Sequence, residues 1–164
     1  RDVLLGWFPP RMFTSYAYVA IAVASALLVF LDACIRREHY RQNRDKLDSV
    51  VNVFDALGLG VFTVSGVQMA IDQYGMGNPF LLVLMGMTTG VGGGMLRDVL
   101  IDAMPKVLRK RIYAVASIVG AIGYYLLLRF GVNEMLSAAL MTAFIMALRI
   151  LATVFKWNLP QARP

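Results

Sequence analysis

Apolar residues run along this chain in long blocks, and polar residues collect in the short intervals between them. Five blocks approach the roughly 20 residues that a helix needs to cross the hydrocarbon core of a bilayer at about 1.5 Å per residue. They predict helices over Phe13–Ala33, Phe54–Ile71, Phe80–Ile101, Ile112–Leu128 and Val132–Phe155. The first stays apolar as far as Asp32 and stops at Arg36 and Arg37. The second closes at Asp72-Gln-Tyr-Gly-Met-Gly-Asn-Pro79, a run of turn formers. Arg129-Phe-Gly131 separates the last two, and no interval leaves room for another domain. The pattern predicts an all-α, polytopic membrane protein, with lipid as its first partner.

Composition agrees with the pattern. Of 164 residues, 59% are hydrophobic and 16% charged, whereas soluble domains are about 45–50% apolar. A net charge of +6 by itself suits a nucleic-acid binder, but the basic residues sit in short runs between apolar blocks, which excludes a basic face on a soluble fold. Such runs orient membrane helices, because Lys and Arg accumulate in cytoplasmic loops. Arg36, Arg37, Arg41, Arg44 and Lys46 fill one loop, Lys106, Arg109, Lys110 and Arg111 another, and the 72–79 turn has none. Strict alternation then places both basic loops and the tail with Lys156 and Arg163 in the cytoplasm and the 72–79 turn outside. His39 falls in the first basic loop and is expected to be solvated. The lone Cys34 forms no internal disulfide and no cysteine metal cluster. No cofactor and no metal are expected.

An internal repeat gives the blocks an order. Arg1-Asp-Val-Leu4 matches Arg97-Asp-Val-Leu100 at an offset of 96, and Pro9 matches Pro105 at the same offset. Tyr16-Ala17 and Tyr113-Ala114 follow the two prolines. Three crossings lie between the matched prolines, and an odd number inverts the second copy, as in many transporters. The expected division is residues 1–46 as the remainder of a first inverted repeat, 47–131 as the second repeat, and 132–164 as a final helix with a short tail. Equal copies would place roughly 40 residues before Arg1, with one further span and the start of another, for about seven spans in all.

The third block carries the densest signal, Thr88-Thr-Gly-Val-Gly-Gly-Gly-Met-Leu-Arg-Asp98. Each glycine inside a helix costs about 1 kcal/mol relative to alanine, so Gly90, Gly92, Gly93 and Gly94 are expected to kink or break the helix. Bare backbone at membrane depth is tolerated only in protein or along a wet cavity, which marks these glycines as a path. Close helix packing is the competing explanation, because small residues let backbones approach. Thr88, Thr89 and Ser65 add hydroxyls that can line the path or bond between helices. Ionisable groups at membrane depth cost roughly 2.5–3.5 kcal/mol each and demand partners. Asp55 is a lining candidate or a helix cap. Arg97 and Asp98, with their repeat mates Arg1 and Asp2, are candidate gating or structural ion pairs. Arg149 is a third such candidate, or it snorkels to the interface. Trp7, Phe8, Tyr74, Tyr124, Tyr125 and Trp157 suit aromatic belts at the interface.

Several chemistries are excluded. Gly90-Val-Gly-Gly-Gly-Met95 has Met where a dinucleotide fingerprint needs its third glycine, and it lacks a P-loop ending. Asp55 near Gly58-Leu-Gly60 lacks the aspartate that an intramembrane aspartyl protease needs next, since Val61 stands there. No Gly-x-Ser-x-Gly elbow or His-Glu-x-x-His helix occurs, and no enzyme is expected.

Asp55-Ala-Leu-Gly58, Phe62-Thr-Val-Ser-Gly66, Gly92-Gly-Gly-Met-Leu-Arg-Asp98, Leu148-Arg-Ile-Leu-Ala152 and Trp157-Asn-Leu-Pro160 together resemble the prokaryotic relatives of the trimeric intracellular cation (TRIC) channels, a family also known by its glycine-transporter domain. The resemblance implies two inverted three-helix repeats plus a seventh helix, homotrimers with one pore per protomer, and a bacterial inner membrane location. It also implies that Gly92, Gly93 and Gly94 kink a pore helix beside Arg97 and Asp98. A passive potassium-type cation channel is then expected. The alternatives are a carrier for glycine or another small zwitterion and, more remotely, a structural membrane protein.

Overall fold

The structure is a computed structural model that describes residues 1–10, 13, 16–35, 44–102, 104, 105 and 112–155, the side chains of 18, 33, 44–48 and 112 apart. His39, most of both basic loops, and the tail with Trp157 and Arg163 lie outside the described residues. Every long element is a helix: α1 Tyr16–Ile35, α2 Arg44–Tyr74, α3 Pro79–Leu100, α4 Ile112–Arg129 and α5 Glu134–Val154. Three stretches are long and apolar enough to cross a bilayer, Ser49–Tyr74, Pro79–Leu100 and Glu134–Val154. The described apolar parts of α1 and α4, Val19–Asp32 and Tyr113–Arg129, are shorter. The fold is thus an all-α membrane bundle with three long spans among its described residues.

Helix ends follow local chemistry. Asn78 accepts from the amide of Leu81 and Pro79 opens α3, so the missing proline N–H costs nothing in the first turn. Asn133 caps α5 by accepting from Met135 and Leu136. After α4, Gly131 takes φ +78 while Val132 N–H reaches Leu127 O and Gly131 N–H reaches Leu128 O, a Schellman ending.

The apolar run of the second block starts at Phe54, but α2 begins at Arg44 and has 31 residues, about 46 Å at roughly 1.5 Å each. Hydropathy marks only the part of a helix that lipid can solvate. Arg44–Ser49 is polar and still helical, because backbone hydrogen bonding does not stop where apolarity does.

Contacts divide the chain into two compact units, Arg1–Val51 and Asn52–Pro164. In the first, α1 presents apolar residues to the outside along its length, Ile21, Leu28 and Phe30 among them, as a lipid-facing helix does. In the second, α4 packs against both α3 and α5 around Leu59, Val91, Tyr113, Ala116 and Ile145. Small residues let α2 approach α5 and α3: a β-carbon on Gly60 would lie 2.9 Å from the Thr142 carbonyl oxygen, and one on Gly66 would lie 2.7 Å from that of Met85.

The expected interruption of the third helix is absent. α3 is α-helical from Pro79 to Leu100, straight through Gly90–Gly94. A glycine run weakens a helix by its entropy, a cost that neighbours can offset when the bare backbone lets them pack. Gly86 and Gly90 have such neighbours. A β-carbon on Gly86 would meet Val67, the Thr63 carbonyl and Ala121; one on Gly90 would collide with Thr63 Oγ1 and lie 3.2 Å from both Leu59 O and Ser117 Oγ.

The first residues form one turn that ends as α3 ends. Leu5 N–H bonds Arg1 O at 3.0 Å and Gly6 N–H bonds Val3 O at 3.1 Å, with Gly6 at φ +78. Ninety-six positions later, Ile101 N–H bonds Arg97 O at 3.2 Å and Asp102 N–H bonds Val99 O at 3.1 Å, with Asp102 at φ 53. The sequence match between Arg1–Leu4 and Arg97–Leu100 is therefore also a match of backbone geometry.

Candidate functional site

Three helices bring charged residues to the C-terminal end of α3, and α4 adds an aromatic ring. Arg97 Nη1 donates to Asp55 Oδ1 at 2.9 Å, and its Nη2 and Nε donate to Asp98 Oδ1 at 2.8 and 3.0 Å. The other oxygen of Asp55 accepts from Arg149 Nη2 at 3.1 Å. The Arg149 guanidinium lies over the Tyr113 ring, 4.3 Å from its centroid, within reach of a cation–π attraction. Asp55, Asp98 and Arg149 are withdrawn from the surface, and Arg97 keeps 39% of its side-chain exposure. Two carboxylates and two guanidiniums balance, three of the four groups being buried where a single unpaired charge would be costly. Arg149 Nε is buried without a hydrogen-bond partner among the described residues.

This geometry corrects two readings. Asp55 lies well inside α2 and does not cap it. Arg149 does not snorkel, because it is 4% exposed and bonded to Asp55. Arg97 pairs with its neighbour Asp98 as well as with Asp55 on another helix, and Arg1 and Asp2 pair likewise, Arg1 Nε to Asp2 Oδ1 at 2.8 Å.

The candidate path residues divide. Gly90 is buried between α2 and α4, and a β-carbon on Gly94 would lie 2.5 Å from the Tyr113 hydroxyl, so both sit in close packing. At Gly92 and Gly93 a β-carbon would meet nothing within 4 Å. The Thr88 hydroxyl donates to Leu84 O at 2.8 Å and the Thr89 hydroxyl to Met85 O at 2.6 Å. Both are engaged by their own helix, as threonines inside helices often are. Ser65 is partly buried on α2. The helix leaves no unwound carbonyls at 90–94, so Gly92 and Gly93 offer a side opening and not a broken strand of backbone.

Two further polar layers cross the bundle. Thr63 and Ser117 share a 2.7 Å hydrogen bond at zero exposure. Farther along α2, Tyr124 donates to Gln68 Oε1 at 2.8 Å while Gln68 Nε2 donates to Asp72 Oδ1 at 2.9 Å. Tyr124 and Tyr125 are buried, which corrects their reading as belt residues: the Tyr124 hydroxyl finds its partner across the helix interface instead of at the headgroups. Tyr113, the aromatic floor of the charge cluster, was visible in sequence only as the residue following a repeated proline. Among the described residues, no group of three or more His, Cys, Asp or Glu is placed to hold a metal.

Comparison with known proteins adds the following. The glycine transporter family model matches residues 52–129, from within α2 to the end of α4. A UPF0126 membrane protein of Deinococcus radiodurans is 34% identical over 129 residues, 77% of this chain and 55% of its own length. The UPF0126 inner membrane protein YadS of Escherichia coli is 39% identical over 123 residues, 73% of this chain and 56% of its own. The chain thus spans little more than half the length of these curated relatives. A crystal structure of a prokaryotic TRIC channel in 0.5 M KCl superposes with a TM-score of 0.81 at 30% identity, covering 96% of this chain and 75% of that one. A structure addressing conductance through TRIC cation channels gives a TM-score of 0.82 at 29% identity, covering 99% and 75%.

Proposed function

We propose that this chain, which belongs to the prokaryotic family of TRIC-like cation channels also described by a glycine-transporter domain, lines a passive pathway for monovalent cations, potassium foremost. One observation carries the reading: about one turn beyond the open glycines Gly92 and Gly93, the same helix holds Arg97, whose charge is matched by Asp55 and Asp98. A cation leaves bulk water only where oxygen ligands or compensating charge replace part of its hydration. Beside Gly92 and Gly93 no side chain of the described residues obstructs it, and at Arg97 two carboxylates offset the guanidinium that would repel it. Arg97 retains exposure and is the member of the cluster that a passing ion meets. Its release from Asp55 or Asp98 exposes an acid to the ion, which makes the pair a gate.

The relatives are bacterial membrane proteins, one of them described as an inner membrane protein, and we place this multi-pass chain in the bacterial inner membrane, with the C-terminus cytoplasmic by its basic loops. A solved relative from Rhodobacter sphaeroides is described as a trimeric intracellular cation channel orthologue, which supports a homotrimer with one pathway in each protomer.

A second reading, carriage of glycine or a similar zwitterion, is favoured by the description of the family model over residues 52–129. Reconstitution of the full-length protein separates the two. Potassium currents across a planar bilayer with no added solute support the channel. Saturable glycine counterflow without unitary currents rejects it in favour of the carrier.

A further inference from the structure

We propose that Tyr113 is a positioning residue of the pathway helix, its phenol oxygen seated against Gly94 so that α3 keeps one axis where the open glycines meet Arg97. This rests on the channel reading and adds to it a part that no ion touches.

The seat is specific to one glycine of three. A β-carbon at Gly94 would lie 2.5 Å from the Tyr113 oxygen and 3.4 Å from the ring carbon that bears it, whereas Gly92 and Gly93 face open space. Real β-carbons essentially never approach within 3.0 Å of another heavy atom, so one of the two partners would have to move. The tyrosine has little freedom to do so. It is 3% exposed and packed with Leu59, Val91, Ala116 and Ile145. Arg149 covers its ring, and Arg149 is tethered to Asp55, which also holds Arg97. Tyr113 therefore links α3 to the charge cluster, its oxygen against Gly94 and its ring beneath Arg149, which is held by Asp55. Two unhindered glycines leave α3 free to bend just before Arg97, and the phenol oxygen restrains that bend.

The test compares the full-length wild type, Gly94→Ala, Tyr113→Phe and the double variant in potassium efflux from proteoliposomes, scaled to folded protein, and in unfolding midpoint in detergent. Gly94→Ala should lower efflux about tenfold by overpacking. The double variant, with the oxygen gone, should return to within about twofold of Tyr113→Phe. Tyr113→Phe alone should raise efflux about threefold, the scale of one weak contact between membrane helices, with its midpoint unchanged; a tyrosine that merely fills space would leave efflux per folded protein as it was. A double variant as slow as Gly94→Ala, or Tyr113→Phe with wild-type efflux, overturns the proposal. If Gly94→Ala fails to accumulate, recovery of folded double variant counts as the rescue, and loss of both overturns it. If the wild type passes no potassium, the channel reading falls separately. The midpoints then decide the seat: a deficit in Gly94→Ala that Tyr113→Phe repairs sustains it, and an unrepaired deficit removes it.

Discussion

Asp55 Oδ2 and Arg149 Nη2 lie 3.1 Å apart, joining residues 94 positions apart in the chain, with side-chain exposures of 5% and 4%. Water contributes little to either group, so each depends on the other and on the remaining members of the cluster. Arg149→Met should therefore destabilise the protein by about 3 kcal/mol, the usual scale for leaving a buried charge without its partner. The double variant Asp55→Asn with Arg149→Met should cost less than the sum of the single changes. Unfolding titrations in mixed micelles measure both; strict additivity would show that the pair is not coupled.

Alanine scanning of the glycine run should split it. Gly90→Ala forces a methyl between Thr63, Leu59 and Ser117 and should cost about 2 kcal/mol by overpacking. Gly92→Ala and Gly93→Ala meet no neighbour and should fold at least as stably as the wild type, since alanine favours the helix by up to about 1 kcal/mol. Midpoints of the three variants in the same detergent distinguish steric from conformational demand.

The Thr63–Ser117 bond tests how much a buried hydroxyl pair contributes to this bundle. Thr63→Val and Ser117→Ala, separately and together, should give a coupling energy of about 0.6 kcal/mol, the average for such bonds between membrane helices. A coupling near zero would mean that shape alone holds α2 against α4.

Orientation is accessible to labelling in a Cys34→Ser background. Met76→Cys should react with an impermeant thiol reagent added from outside, and Asn43→Cys only after the cytoplasmic side is opened. The reverse pattern would invert the assigned topology.

The helices were legible because lipid imposes a length and a polarity on each, and α3 begins one residue from its apolar block while α5 ends one residue short of it. The start of α2 was not, because residues 44–53 include polar ones whose helicity has no apolar signature. Arg97 with Asp98 was legible as a local, doubled motif. The partnership of Asp55 with Arg97 and Arg149 was not, since pairings across 42 and 94 residues leave no trace in local periodicity. Glycine in sequence says only that a side chain is absent. Whether the vacated space is filled by Thr63, as at Gly90, or left open, as at Gly92, depends on the neighbouring helix.

The balance of two acids and two guanidiniums bears on how the protein responds to membrane voltage. A field acts on net charge, so moving Asp55, Asp98, Arg97 and Arg149 together does no electrical work. Only their separation does, at up to about 2.3 kcal/mol per elementary charge for each 100 mV of the drop traversed. Arg97, the most exposed of the four, is the charge that can part from the rest. Steep voltage dependence would mean that it travels, and a flat response would mean that the quartet stays whole.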